Sequence, residues 1–149
     1  MMNLTDSIIW MFLGSLIIGI FFNGMNFLAN RFSDIYFNAK TLIYIALLMA
    51  SNMCILEVLM YYSSSGELNI YYLLSFLLFS AFCVFLLRNQ AFINDNDWLR
   101  RMITHHSTAI TTSKKIYERT QNPLIKNLSR NIIVTQEKEI AYMKKLLKQ

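Results

Sequence analysis

The sequence is poor in charge over more than half its length. Between Ile8 and Leu87 the only charged side chains are Arg31, Asp34, Lys40, Glu57 and Glu67, and no Lys or Arg precedes Arg31. Cysteine, proline and histidine are as scarce, with two, one and two residues respectively among 149. Cys54 and Cys83 both fall inside hydrophobic runs, so they read as packing residues and not as a disulfide framework. Without a basic residue before the first apolar run, or a small-residue cleavage pattern after it, a removed signal peptide is not expected. No nucleophile-base pair, phosphate-cradling glycine loop or pair of catalytic carboxylates is found, so the reading is of a protein that is not an enzyme, with no small-molecule substrate. The basic residues lack interleaved aromatics, which argues against nucleic acid as a partner.

Apolar residues are what the sequence has in surplus. They make up 55% of the chain against 15% charged, with a mean hydropathy of +0.37, more than a water-facing domain of this size needs. Three stretches, Ser7 to Ala29, Thr41 to Tyr62 and Ile70 to Arg88, match the ~20 residues that carry a helix across a hydrocarbon layer of about 30 Å. Residues 1–88 are thus expected to form a transmembrane region, with the lipid bilayer as partner and a multi-pass cell-membrane location. Gly14, Gly19, Asn23, Gly24 and Asn26 mark the second half of the first span as a place to kink or to pack closely. Tyr61, Tyr62, Tyr71 and Tyr72 flank the second loop as an interfacial belt would. Met49, Met53, Glu57 and Met60 share one face of the second span, an arrangement that packing methionines explain better than a metal path does.

Almost everything basic lies from Arg88 onward, and residues 89–149 read as a helical hairpin module projecting into water. Leu99, Met102, Ile103, Ala109, Ile110, Ile116 and Tyr117 recur at three- and four-residue steps over a helix spanning about 95–120. Asn94, Asp95 and Asn96 are its N-cap candidates. The run Thr120-Gln121-Asn122-Pro123 stops it, and proline then opens a second helix over about 123–148. The apolar stripe of that helix is Leu124, Ile125, Leu128, Ile132, Ile140, Met143, Leu146 and Leu147. Arg31 and Lys40 in a short loop, on the same side as this basic tail, place the module in the cytoplasm by the positive-inside rule.

Polar residues interrupt both stripes. His106 sits in the middle of the first helix's apolar arc with His105 at its edge, while Gln136 and Glu139 sit centrally on the second helix beside Met143. A short turn makes the helices antiparallel, so residues equally distant from Gln121 share a level. Met102, His105, His106, Gln136, Glu139 and Met143 are thereby expected within two helical turns of one another. One reading is a polar pair, His106 with Glu139 or Gln136, that fixes helix register. The other is a metal site, whose imidazole and thioether ligands suit a copper ion, with zinc a lesser fit.

The stretch Met102-Ile-Thr-His105-His106-Ser-Thr-Ala109-Ile110, the link Asn122-Pro123-Leu-Ile125-Lys-Asn-Leu128 and the signature Gln136-Glu-Lys-Glu139-Ile140-Ala-Tyr-Met143 resemble domain-of-unknown-function family 305. Leu87-Arg88-Asn89-Gln90 and the three preceding spans look like a membrane-anchored subgroup of it. The resemblance implies an all-α protein in which three transmembrane helices precede a two-helix antiparallel hairpin, half of a ferritin-like four-helix bundle. It also implies copper binding or tolerance through histidine and methionine, in an extracytoplasmic setting opposite to that given by charge. Carried over residue by residue, Met102, His105, His106 and Met143 are candidate metal ligands, supported by Gln136 and Glu139. Relatives in solution hold two such hairpins and this chain holds one, and Thr111 and Thr112 stand where a methionine is frequent. A single hairpin of some fifty residues buries little apolar surface, so a homodimer that completes a four-helix bundle is expected. The alternative is a metal-free, membrane-anchored module for interaction or oligomerisation.

Overall fold

A computed structural model describes residues 3–149. Among them it contains helices and no strand: α1 (Leu4–Phe21), α2 (Gly24–Phe27), a single 3-10 turn η1 (Phe32–Asp34), α3 (Lys40–Ser65), α4 (Ile70–Arg88), α5 (Asp95–Arg119) and α6 (Pro123–Leu146). The chain forms two units, one of residues up to Phe22 with Lys40–Ile93, the other of Asn23–Ala39 with Asn94–Gln149.

In the first unit, three helices are long and apolar enough to cross a membrane: Leu4–Phe27, Lys40–Ser65 and Ile70–Arg88. The first differs from the run expected over residues 7–29, because it begins at Leu4 and its α-helix stops at Phe21. Asn23 causes the break: its side chain turns back to accept a hydrogen bond from the Asn26 amide at 3.1 Å and so caps a new short helix. Gly19 is where α1 meets α3, since a Cβ there would lie 2.9 Å from the Cα and Cβ of Ala46. Small residues at such a crossing let two backbones approach. Near the start of α1, Ile8, Cys54 and Val58 are buried together and are covered by Phe12, Leu73 and Phe76. Helix α4 is tied to α3 by hydroxyls: Ser51 donates to the Phe76 carbonyl at 2.9 Å, and Ser80 Oγ lies 2.9 Å from both Ser51 Oγ and Asn52 Oδ1. Much of the remaining surface is apolar and uncovered, with Trp10, Leu78 and Phe85 exposed, as suits helices solvated by lipid.

The second unit is built on the antiparallel pair α5 and α6. Asn94 caps α5 by accepting from the Asp97 amide at 2.8 Å, and Asp95 and Asp97 occupy its first turn, where the helix dipole favours negative charge. Asn122 accepts from the Leu124 amide at 2.9 Å and Pro123 opens α6, as the sequence signals require. Leu99, Ile103, Ile110, Ile140 and Met143 form the buried seam, covered by Tyr36, Met102, Ile133, Leu146 and Leu147. Tyr36 belongs to the segment 23–39, so the polar stretch between the first two hydrophobic runs packs onto the hairpin.

Candidate functional site

The hairpin brings one anticipated pair together. His106 Nδ1 lies 3.0 Å from Glu139 Oε2, one turn along α6 from the Gln136 that a turn centred on Gln121 sets opposite it. The atoms are close, yet Nδ1 makes no well-directed hydrogen bond. Glu139 is 47% exposed and His106 only 16%, which leaves the carboxylate open to water on the rim of the seam.

The other expected ligands go elsewhere. His105 faces solvent, with its ring centre 6.0 Å from that of His106 and nearly edge-on to it. Partial covering of its ring, then the nearby charges of Arg101 and His106, push its pKa below the usual histidine value. The Met143 side chain is buried in the apolar seam beside Ile140, and Met102 packs against the same cluster. Gln136 is half-buried on α6. Among the described residues, no group of three or more His, Cys, Asp or Glu side chains comes together as a metal holder. On α3, Glu57 accepts a hydrogen bond from the Ser7 hydroxyl, and Met60 on the same face is exposed.

Sequence reasoning missed the most connected polar group of this unit. Asp34 is 1% exposed. One carboxylate oxygen pairs with Lys144 Nζ and the other accepts the Ser107 hydroxyl at 2.6 Å, while the Asp34 carbonyl accepts the Thr104 hydroxyl at 2.7 Å. The Asn30 amide reaches Ser107 Oγ at 2.9 Å and the Ser107 carbonyl at 3.2 Å. Lys114 Nζ extends the array, donating to Asn30 Oδ1 at 3.2 Å and lying 3.7 Å from Glu137. The available signals were that Thr104 and Ser107 put hydroxyls three residues apart on α5, and that Asp34 is the lone acid of a loop flanked by Arg31 and Lys40. With its oxygens engaged in this way, Asp34 acts as a clasp between loop and hairpin.

Residues 87–147 match the family model described as Domain of unknown function (DUF305). Over 140 residues the chain is 35% identical to an uncharacterized protein of Acanthamoeba polyphaga mimivirus, an alignment covering 94% of this chain and 90% of that one. The chain belongs to the DUF305 family. No solved structure matches it. The DUF305 match begins at the end of α4 and runs through both hairpin helices, whereas the viral relative is also similar across the hydrophobic helices and the segment that carries Asp34.

Within this DUF305 hairpin, His105, His106 and Glu139 have the donor chemistry that copper or zinc accepts, namely imidazole nitrogen and carboxylate oxygen. His106 and Glu139 meet, and the His105 ring stands 6.0 Å from that of His106. The thioethers of Met102 and Met143 contribute to packing instead, a role methionine fills readily.

Proposed function

We propose that this DUF305 protein is a membrane-anchored interaction module, held in the bilayer by α1, α3 and α4, whose hairpin pairs with a second copy of itself. One observation carries the reading. The outward face of α6 bears Leu124, Leu128 and Tyr142, which are 79%, 59% and 63% exposed, with exposed Asn131 and Thr135 between them. From Leu124 to Thr135 the strip carries no charge, and exposed Lys138 follows in the same row before Tyr142, so a copy of the uncharged stretch laid on it buries none. Beside it, a groove of about 160 Å³ between the helices is lined by Ile116, Ile125, Leu128 and Ile132. Two helices alone bury little apolar surface, and four would make the bundle that DUF305 resemblance implies. In this reading His106 and Glu139 set the register of α5 on α6. The light-scattering mass of the full chain in detergent tests it: wild type should run as a dimer and Leu128→Lys as a monomer, whereas a monomeric wild type would refute it.

A second reading has its own observation in its favour. His105 is exposed, holds protons weakly and has its ring centre 6.0 Å from that of His106, so at neutral pH it offers an uncharged nitrogen to a metal ion. In this reading the module binds copper through His105, His106 and Glu139 for sequestration or hand-over. A bound copper ion would supply soft, redox-active coordination chemistry. The chain's own residues would supply the imidazoles, one carboxylate and, in Asp34 and Lys144, the clasp that steadies α5 against α6. Titration with Cu(I) and Cu(II) beside the His105→Ala/His106→Ala variant should show uptake lost in the variant; equal uptake by both would remove the reading.

A further inference from the structure

The start of α1 and the last turns of α3 enclose a cleft of about 530 Å³, lined among others by Ser7, Glu57, Tyr61, Ser64 and Ser65. Its side-chain charge is of one sign, and Asn3, whose Oδ1 accepts the Asp6 amide at 2.9 Å, lines it as a neutral amide. Glu57 is half-buried and accepts the Ser7 hydroxyl, so that proton is committed. Ser64 and Ser65 each donate to the Tyr61 carbonyl at 2.9 Å, and Ser65 Oγ also accepts the Glu67 amide at 3.1 Å, so what is left to offer is the lone pairs of Ser64 and one of Ser65. No Lys, Arg or His lines the cleft, and none occurs in residues 1–30 or 41–87.

A cleft of acceptors around one carboxylate is complementary to a positive ligand rich in N–H donors. Its volume falls in the ~300–1,000 Å³ range of small-molecule sites. A single carboxylate provides few of the six to eight oxygens that a calcium ion takes, and magnesium asks for near-ideal octahedral geometry. The Tyr61 ring adds a face on which an organic cation can rest. We propose that this cleft binds a primary ammonium group, with Glu57 as its counter-charge and the Ser64 and Ser65 oxygens as acceptors. The tyrosine belt around this end of the helices puts it at headgroup depth, so the ammonium can belong to an ethanolamine lipid or to a soluble amine.

The full chain in phosphatidylcholine nanodiscs would be titrated with spermidine by calorimetry. In parallel, native mass spectrometry would count the lipids retained from a mixture of phosphatidylethanolamine, phosphatidylcholine and phosphatidylglycerol. Selective retention of phosphatidylethanolamine assigns the headgroup and uptake of spermidine assigns the soluble amine; either supports the site. Glu57→Gln should weaken the bound species at least about tenfold. The Ser64→Ala/Ser65→Ala variant leaves the Ser7 to Glu57 contact in place and should weaken it several-fold, with helicity by circular dichroism confirming that both variants fold. Equal binding by wild type and both variants, or no uptake of spermidine together with equal retention of phosphatidylcholine and phosphatidylethanolamine, would overturn the proposal.

Discussion

Asp34 and Lys144 are 110 positions apart in the chain and form an ion pair, with the aspartate side chain 2% and the lysine 30% exposed. Breaking a buried pair from one side leaves the other charge stranded and costs about 3–5 kcal/mol. Because Lys144 keeps some contact with water, Asp34→Ala is expected at the lower end, about 3 kcal/mol. A double-mutant cycle with Lys144→Met, read by denaturant unfolding in detergent, should return a coupling above about 1 kcal/mol. Strict additivity of the two variants would show that the clasp is not an energetic unit.

The His106 and Glu139 contact should behave differently. Its carboxylate is nearly half exposed, and ion pairs in such surroundings contribute only about 0.2–1 kcal/mol. The coupling between His106→Ala and Glu139→Gln is therefore expected below about 1 kcal/mol in the same assay. A coupling as large as that of Asp34 with Lys144 would mean that the seam, and not the loop clasp, fixes the helices.

His105 gives the hairpin a pH dependence of defined sign. Its pKa is lowered in the folded protein by partial covering, Arg101 and His106, so the unfolded chain binds protons more readily and stability rises with pH through that window. The contribution is complete above the ordinary histidine value of 6.5 and is lost as pH falls from there through the lowered folded value. An NMR titration should place the His105 midpoint below 6.5, and Arg101→Gln should move it up. A midpoint at or above the ordinary value would reverse the sign.

The helix crossing at Gly19 can be tested against Gly14, which has open space around it. Gly19→Ala forces a methyl against the Ala46 backbone, and overpacking of this kind costs about 1–3 kcal/mol. Gly14→Ala should be neutral or slightly stabilising, because alanine is the better helix former. Equal effects of the two substitutions on unfolding in detergent would contradict the close approach of α1 and α3.

Much of the fold was legible because its signals are local. Long apolar runs, the Asn94 and Asn122 caps and Pro123 at the start of α6 act within a few residues, and the structure places those helices where the pattern does. The break at Asn23 was half legible: glycine and asparagine flagged a weak second half for the first span, but only the backbone shows Asn23 capping a new helix. Asp34 was not legible, since pairing a loop acid with Lys144 depends on a fold-back that periodicity does not encode. Helix geometry left Gln136 and Glu139 both open as partners of His106, and the structure brings Glu139 to it, whereas the fate of Met143 was not legible, because a thioether on an apolar stripe serves packing and coordination alike.

The central claim is that the uncharged Leu124 to Thr135 stretch of the outward face of α6 meets its own copy. Mild oxidation of native membranes that carry Leu128→Cys tests it directly, with Lys126→Cys, on the far side of the same helix, as comparison; Cys54 and Cys83 are buried and do not compete. The account predicts a disulfide-linked dimer from position 128 and little from position 126. Monomer at both positions, or equal cross-linking at both, would contradict it.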